Sequence, residues 1–272
     1  MADSNLRECL IDVTPHLTLA LIQAHLDQSD PAANRARLSA EIEAVEAAVD
    51  VFVLPETFAT GFLGDERDGP EAMSGESVQW MHEIAARQRA AVCGSLAIGA
   101  GDSCRNRLLF VAPTGLVGHY DKRHLFAYAG EDRRFTAGDR RVIWQWRGWR
   151  ICPQICYDLR FPVWCRNQDD YDLLLVVANW PAVRATAWRC LLRARAIENQ
   201  AWVVGVNRAG PDGKGTVYGG RSAVYGPEGD PLLELGESPA TGTVLISLDQ
   251  VRETGRRYPF LADRDPFVLK SR

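Results

Sequence analysis

Three side chains of different chemistry stand in one local setting along the 272-residue sequence: Glu56 closes the run VDVFVLPE, Lys122 closes LVGHYDK and Cys156 closes WRICPQIC. Each ends an apolar, strand-like run and opens a loop, which is where α/β folds place groups that touch ligands. The trio suits one kind of chemistry. A thiol reacts as its thiolate, so a neighbouring carboxylate can take its proton and later activate water. An ammonium nearby favours the thiolate and any oxyanion that develops on a substrate. Glu56 fits the base, Lys122 the cation and Cys156 the nucleophile, and the backbone N–H of Tyr157 is a further candidate oxyanion donor.

Taken singly, each residue has a plainer reading: Cys156 as a packing thiol, Glu56 as a loop carboxylate, Lys122 as a solvated turn residue. Two other chemistries compete with the trio. Cys152, four residues before Cys156, opens the alternative of a metal or redox pair, which no second Cys or His pair supports. His124 opens that of a Cys-His dyad, against its reading as a solvated loop residue.

The elements that must position these groups alternate in type. LTLALIQAHL, from Leu17, reads as a strand. SDPAANRARLSAEIEAVEAA reads as a helix capped by Asp30, with Pro31 in its first turn and Leu38, Ile42, Val45 and Val49 at helical spacing. VDVFVLPE is a second buried strand, so the chain opens with a parallel pair joined by a crossover helix. After a helix around 77–90, AVCGSLAIGA, NRLLFVAPTG and LVGHYDK are consecutive β runs joined by short turns. RVIWQW and WRICPQICY flank a tight turn at Arg147 and Gly148, so antiparallel pairs mix with parallel ones. A helix begins near Phe161, and DLLLVVANW and AWVVGVN are buried strands on either side of the long helix ATAWRCLLRARAIENQ. SAVYGPEGDPLLEL and GTVLISLDQV are the last β runs, and RRYPFLADRDPFVLKSR reads as an irregular tail. The expectation is an amino-terminal extension over 1–16 and one α/β domain over 17–272, with mixed sheets and helices on their outer faces.

Composition narrows the partners. With 46% hydrophobic and 24% charged residues the chain has ordinary globular proportions and can bury a sizeable core. The net charge of -4 is small and the 31 Lys and Arg are scattered, so no basic footprint for nucleic acid or an anionic membrane is present. A small polar substrate fits that balance better. The first residues build no apolar segment of signal-peptide type, and the longest apolar run, LLLVVA, is far short of the roughly 20 residues that cross a bilayer. A cytoplasmic location is expected. The seven cysteines are odd in number and irregular in spacing, which reads as reduced thiols rather than a disulfide framework.

LPETFATGF (54–62), YDKRHLF (120–126) and ICYDLRFP (155–162) resemble the three signature segments of the nitrilase, or carbon-nitrogen hydrolase, superfamily, with further similarity in VANWPA and RAIENQ. The detail is most like the omega-amidase branch, whose members hydrolyse the terminal amide of 2-oxoglutaramate and 2-oxosuccinamate. The resemblance implies a four-layer αββα sandwich with two mixed sheets, a homodimer, no metal and no organic cofactor. It places the base, lysine and nucleophile on Glu56, Lys122 and Cys156, and a second catalytic glutamate on Glu131 in FAYAGEDRRF. It also implies acyl transfer through a cysteinyl thioester, with a small amide as substrate. A carboxylate-bearing substrate needs a cation, for which Arg160 is the candidate against a structural salt bridge with Asp158, and Trp180 and Pro181 are candidates for an apolar wall. N-carbamoyl amino acids and nitriles, handled by other members of the superfamily, are the competing substrate classes.

Overall fold

The computed structural model describes residues 14–28, 30–63, 70–101 and 103–269, so most of the expected extension lies outside the described residues. The opening is as read: β1 (His16–Gln23) runs parallel to β2 (Val51–Val53), with Leu19 opposite Val51, and α1 (Pro31–Glu43) crosses between them. Asp30 caps α1 by accepting from the Ala33 N–H at 2.9 Å, and Pro31 occupies the first turn, where its missing N–H is no loss. The helix stops at Glu43. Val45 and Val49 therefore fall beyond it and pack against the core from the following loop.

After α2 (Glu76–Gln88) come β3 (Ala91–Ala100), β4 (Ser103–Ala112) and β5 (Gly115–Asp121), the first parallel to β2 and the rest a meander. β6 (Trp144–Trp146) and β7 (Trp149–Ile155) form the expected hairpin, whose turn residues Arg147 and Gly148 both have positive φ (48° and 82°). Two positive-φ residues match the twist of the flanking strands, and glycine takes one of them without strain. A short α3 (Pro162–Cys165) leads to β8 (Leu173–Ala178), α4 (Ala185–Asn199) and β9 (Trp202–Asn207), and β7, β8 and β9 are parallel. A small ribbon, β10 (Ala209–Pro211) with β11 (Val217–Gly219), follows, then β12 (Ala223–Tyr225), β13 (Pro231–Glu234) and β14 (Ala240–Ser247).

The last of these corrects the sequence reading. LDQV does not continue β14 but starts α5 (Leu248–Arg257), which also takes in the first residues of the supposed tail. Its charges suit a helix, with Asp249 in the first turn and Arg256 and Arg257 in the last, complementing the axial dipole.

The two six-stranded sheets are ordered β14-β1-β2-β3-β4-β5 and β13-β12-β9-β8-β7-β6, and both mix parallel and antiparallel pairs. Three apolar layers bind four structural ones. Leu19, Leu21 and Val53 of the first sheet meet Ile151, Leu175 and Val204 of the second in the central layer. Leu38, Met81 and Ile84 seal α1 and α2 onto the first sheet, and Trp188, Leu192 and Ala196 seal α4 onto the second. The result is the αββα sandwich. Strands buried on both faces, such as LLLVVA, are continuously apolar for that reason.

Candidate active site

Ends of strands from both sheets converge. Lys122 directly follows β5, Cys156 directly follows β7, and Glu56 lies three residues beyond β2, because that strand stops at Val53. The Glu56 loop is pinned to β3: the Leu54 N–H donates to the Cys93 carbonyl (2.7 Å), the Thr57 N–H to Ser95 Oγ (2.8 Å) and the Phe58 N–H to the Ser95 carbonyl (3.1 Å). Thr57 and Cys156 both adopt left-handed backbone conformations, with φ of 42° and 46°. β-Branched and thiol side chains occupy that region only where their surroundings enforce it.

For Cys156 the enforcement comes from Asp158. This buried carboxylate accepts from the Ile155 N–H (3.1 Å), the Tyr120 hydroxyl (2.8 Å) and the His124 N–H (2.8 Å), and it pairs with His124 Nδ1 (2.8 Å). One side chain thus ties the nucleophile turn to the lysine loop. His124 is buried, stacks on Phe161 with ring centroids 3.6 Å apart, and is absent from the cavity wall. It is neither a solvated loop residue nor the partner of Cys156, so the dyad alternative is not formed. Asp158 is also unavailable to Arg160, which instead lies over the Trp180 ring at 4.8 Å.

The charged centre is fully enclosed. Lys122 Nζ donates to Glu56 Oε1 at 2.8 Å and to both Glu131 oxygens at 2.9 Å, and none of the three residues is more than 1% exposed. Glu131 is therefore a member of the cluster and not a solvated loop acid. Gly130, with φ of 79°, turns the chain into the short 3-10 segment Glu131–Arg133, and the Phe126 N–H secures Glu131 Oε2 at 2.6 Å. Asn106 Nδ2 donates to Glu56 (2.8 Å) and Glu131 (3.2 Å), and the Asn179 N–H donates to Glu56 Oε2 (2.7 Å).

Burial alone would drive the Lys122 ammonium toward its neutral form. The charges of Glu131 and Glu56 outweigh it and hold the pKa well above the usual lysine value. Burial pushes the Glu131 carboxyl up; Lys122 opposes the shift and Glu56 reinforces it. The Cys156 thiol is also pushed well up, by burial first and then by Glu56, with Lys122 pulling the other way. The sequence reading that Lys122 favours the thiolate holds in sign but is outweighed. A thiol whose pKa is pushed up beside a carboxylate has an acceptor for its proton should it attack a substrate.

Above this centre lies a cavity of about 230 Å³, with Lys122, Cys156 and Tyr157 at its base. Trp180, Pro181 and Arg160 all line it. Cys152 is buried on the far face of the second sheet among Leu174, Val176 and Trp188 and is a packing thiol. Among the described residues no group of three or more His, Cys, Asp or Glu is arranged to hold a metal ion.

Sequence reasoning missed Asn106, Asn179, Asp158, Tyr218 and Arg184. For Asn106 a signal exists: alternation along β4 puts it on the same buried face as Leu108 and Phe110, where an unexplained amide marks a polar centre. Tyr218 and Thr216 reach the cavity from the β10–β11 ribbon, whose glycine-rich sequence shows a turn but not its destination.

The carbon-nitrogen hydrolase family model matches residues 18–256. The chain is 44% identical over 256 residues to the omega-amidase YafV of Escherichia coli, covering 94% of this chain and 99% of that protein. It is 30% identical over 259 residues to the 2-oxoglutaramate amidase of Bacillus subtilis, covering 90% and 96%. A crystal structure of a CN-hydrolase superfamily protein from Xanthomonas campestris, with an arsenic adduct in its active site, superposes with a TM-score of 0.92 at 44% identity, covering 94% of this chain and 100% of that one.

Proposed function

The chain belongs to the carbon-nitrogen hydrolase family and is a hydrolase acting on amides, and from that premise we propose that it is a thiol-dependent omega-amidase, cleaving the terminal amide of small 2-oxo dicarboxylic acid monoamides such as 2-oxoglutaramate and 2-oxosuccinamate. The observation that carries this reading is the enclosed Glu56–Lys122–Glu131 cluster beneath Cys156 in a cavity of small-molecule size. The named activities of the two amidase relatives favour the same acyl group.

The geometry supports the following steps. Cys156 Sγ attacks the amide carbon while its proton passes to Glu56. The carbonyl oxygen, now an oxyanion, is held by the Lys122 ammonium and the Tyr157 backbone N–H. Glu56 returns the proton to the nitrogen, the carbon-nitrogen bond breaks, and ammonia leaves a thioester on Cys156. Water enters, loses a proton to Glu56 and attacks the thioester. Collapse expels the thiolate, which recovers the proton, and the dicarboxylate departs. Glu131, bonded to Lys122 alongside Glu56, fixes it throughout, and Arg160 receives the substrate carboxylate.

The test is ammonia release from 2-oxoglutaramate, glutamine, an N-carbamoyl amino acid and a simple nitrile side by side. The 2-oxo amide is expected to be fastest, and Cys156→Ala to abolish release. A preference for the nitrile or the carbamoyl compound overturns the substrate assignment, and activity surviving in Cys156→Ala overturns the nucleophile.

A further inference from the structure

The cavity carries more positive charge than the reaction uses. Lys122, Arg160 and Arg184 all line it, and among the described residues no Asp or Glu does. The Lys122 charge is already matched by Glu56 and Glu131. The two arginines are different: among the described residues neither has a carboxylate within ion-pair distance, and each guanidinium lies over an aromatic ring. Arg160 sits 4.8 Å from the centroid of Trp180, and Arg184 sits 5.3 Å from that of Phe126. A ring under a guanidinium fixes its plane without consuming its N–H donors, which stay available to a ligand.

Both arginines depend on one buried residue. The Trp180 ring supports Arg160, and its indole N–H donates to the Arg184 carbonyl at 2.9 Å. Trp180 is itself locked by its backbone N–H on Asn207 Oδ1 at 2.7 Å, and the Asn207 amide returns a bond to the Trp180 carbonyl at 3.0 Å. Beneath Arg184, Phe126 is held by its backbone bond to Glu131. The pair is thus aligned by rigid parts, one of them bonded directly to the charged centre. The half-buried Arg184 also stands beside the exposed Val183 on the cavity rim, where an incoming anion meets it early.

We infer that Arg184 is the second arm of a two-arginine clamp, with Arg160, that grips the adjacent carboxylate and 2-oxo oxygens of the substrate and turns away the 2-ammonium of an amino acid. This rests on the omega-amidase reading and adds to it the basis for telling a 2-oxo acid amide from glutamine, which differs at that one carbon. The 2-oxo acid offers acceptor oxygens to both guanidinium forks. Glutamine would set a cation against them, in a cavity where no carboxylate among the described lining residues receives it.

The experiment measures kcat and KM for wild type, Arg184→Met and Arg184→Lys on 2-oxoglutaramate, glutamine and the neutral pentanamide, with thermal unfolding of each protein as the check on folding. In Arg184→Met the KM for 2-oxoglutaramate is expected to rise about 10- to 100-fold, the worth of one charge-assisted bond, with kcat little changed. The KM for pentanamide should stay as in wild type, and the preference for 2-oxoglutaramate over glutamine should shrink. Arg184→Lys, which keeps the charge and loses the fork, should recover part of the affinity. Unchanged kinetics in Arg184→Met, or an equal rise in KM for pentanamide, overturns the clamp and leaves the amidase reading standing. If wild type itself shows no preference for 2-oxoglutaramate over pentanamide, the omega-amidase reading fails, and the clamp with it.

Discussion

The strand ends of the first sheet bring matched charge to the cavity, whereas those of the second bring the Cys156 thiol and groups left unmatched. Glu56, Lys122 and Asn106, with Glu131 from the loop after β5, form a sealed set in which the charges answer one another. Cys156, Tyr157, Arg160, Trp180 and Arg184 come from the ends of β7 and β8 and the turn before α4, and they face the open cavity. Sealed charge lowers the reorganisation needed when a proton or oxyanion forms, while open donors give a ligand something to bind. Substitutions within the sealed set should therefore damage rate and stability together, and substitutions of the groups that face the open cavity should separate the two.

The sharpest break is Lys122→Met. It strands two carboxylates in an enclosed site, and an uncompensated buried charge costs about 3–5 kcal/mol, read as a fall in the urea midpoint. Loss of the oxyanion cation should lower kcat by about 10³-fold or more. Full stability in this variant would show that the two sheets are not divided as described.

Glu56→Gln should cut turnover by about 10²- to 10⁴-fold, the range for a lost general base. It should also speed alkylation of Cys156 by iodoacetamide at neutral pH. The sign follows from the causes: burial and then Glu56 raise the thiol pKa and Lys122 lowers it, so removing Glu56 takes away an upward push and moves the thiol pKa down, while burial and Glu131 still hold it up. In wild type the alkylation rate should keep rising with pH through about 8.5, the ordinary cysteine value, and in the variant the rise should begin lower. An unshifted profile would separate the thiol from the glutamate.

Asp158→Asn replaces an acceptor for four groups with an amide that offers its own N–H to donors. Stability should drop by about 1–3 kcal/mol, and kcat should drop with it as the nucleophile turn loosens. Smallest of all is Cys152→Ala on the packed face, which should remove about 1–2 kcal/mol and leave turnover as it was. A loss of activity there would revive the paired-cysteine alternative.

Much of this division is legible along the chain. Glu56, Lys122 and Cys156 are visible because each interrupts an apolar run at the point where the backbone must leave a sheet. The sheets themselves are visible because period-two and continuous apolar patterns report one or two buried faces. Asp158 is not, since an aspartate after a strand reads equally as a turn residue, and two of its three partner residues, Tyr120 and His124, come from a distant segment. α5 is hidden for a local reason: LIS passes into LDQV with no glycine or proline, and the helix has few apolar positions to announce its period. Arg184 is hidden because its role depends on which ring lies beneath it, and Phe126 is distant in sequence.

The positive φ of Cys156 has an evolutionary consequence. An L-residue in the left-handed region sacrifices roughly 1–2 kcal/mol that glycine would recover. Selection for heat resistance alone would therefore favour glycine at this position and erase the proposed nucleophile, so on that proposal the cysteine persists only while turnover itself is under selection.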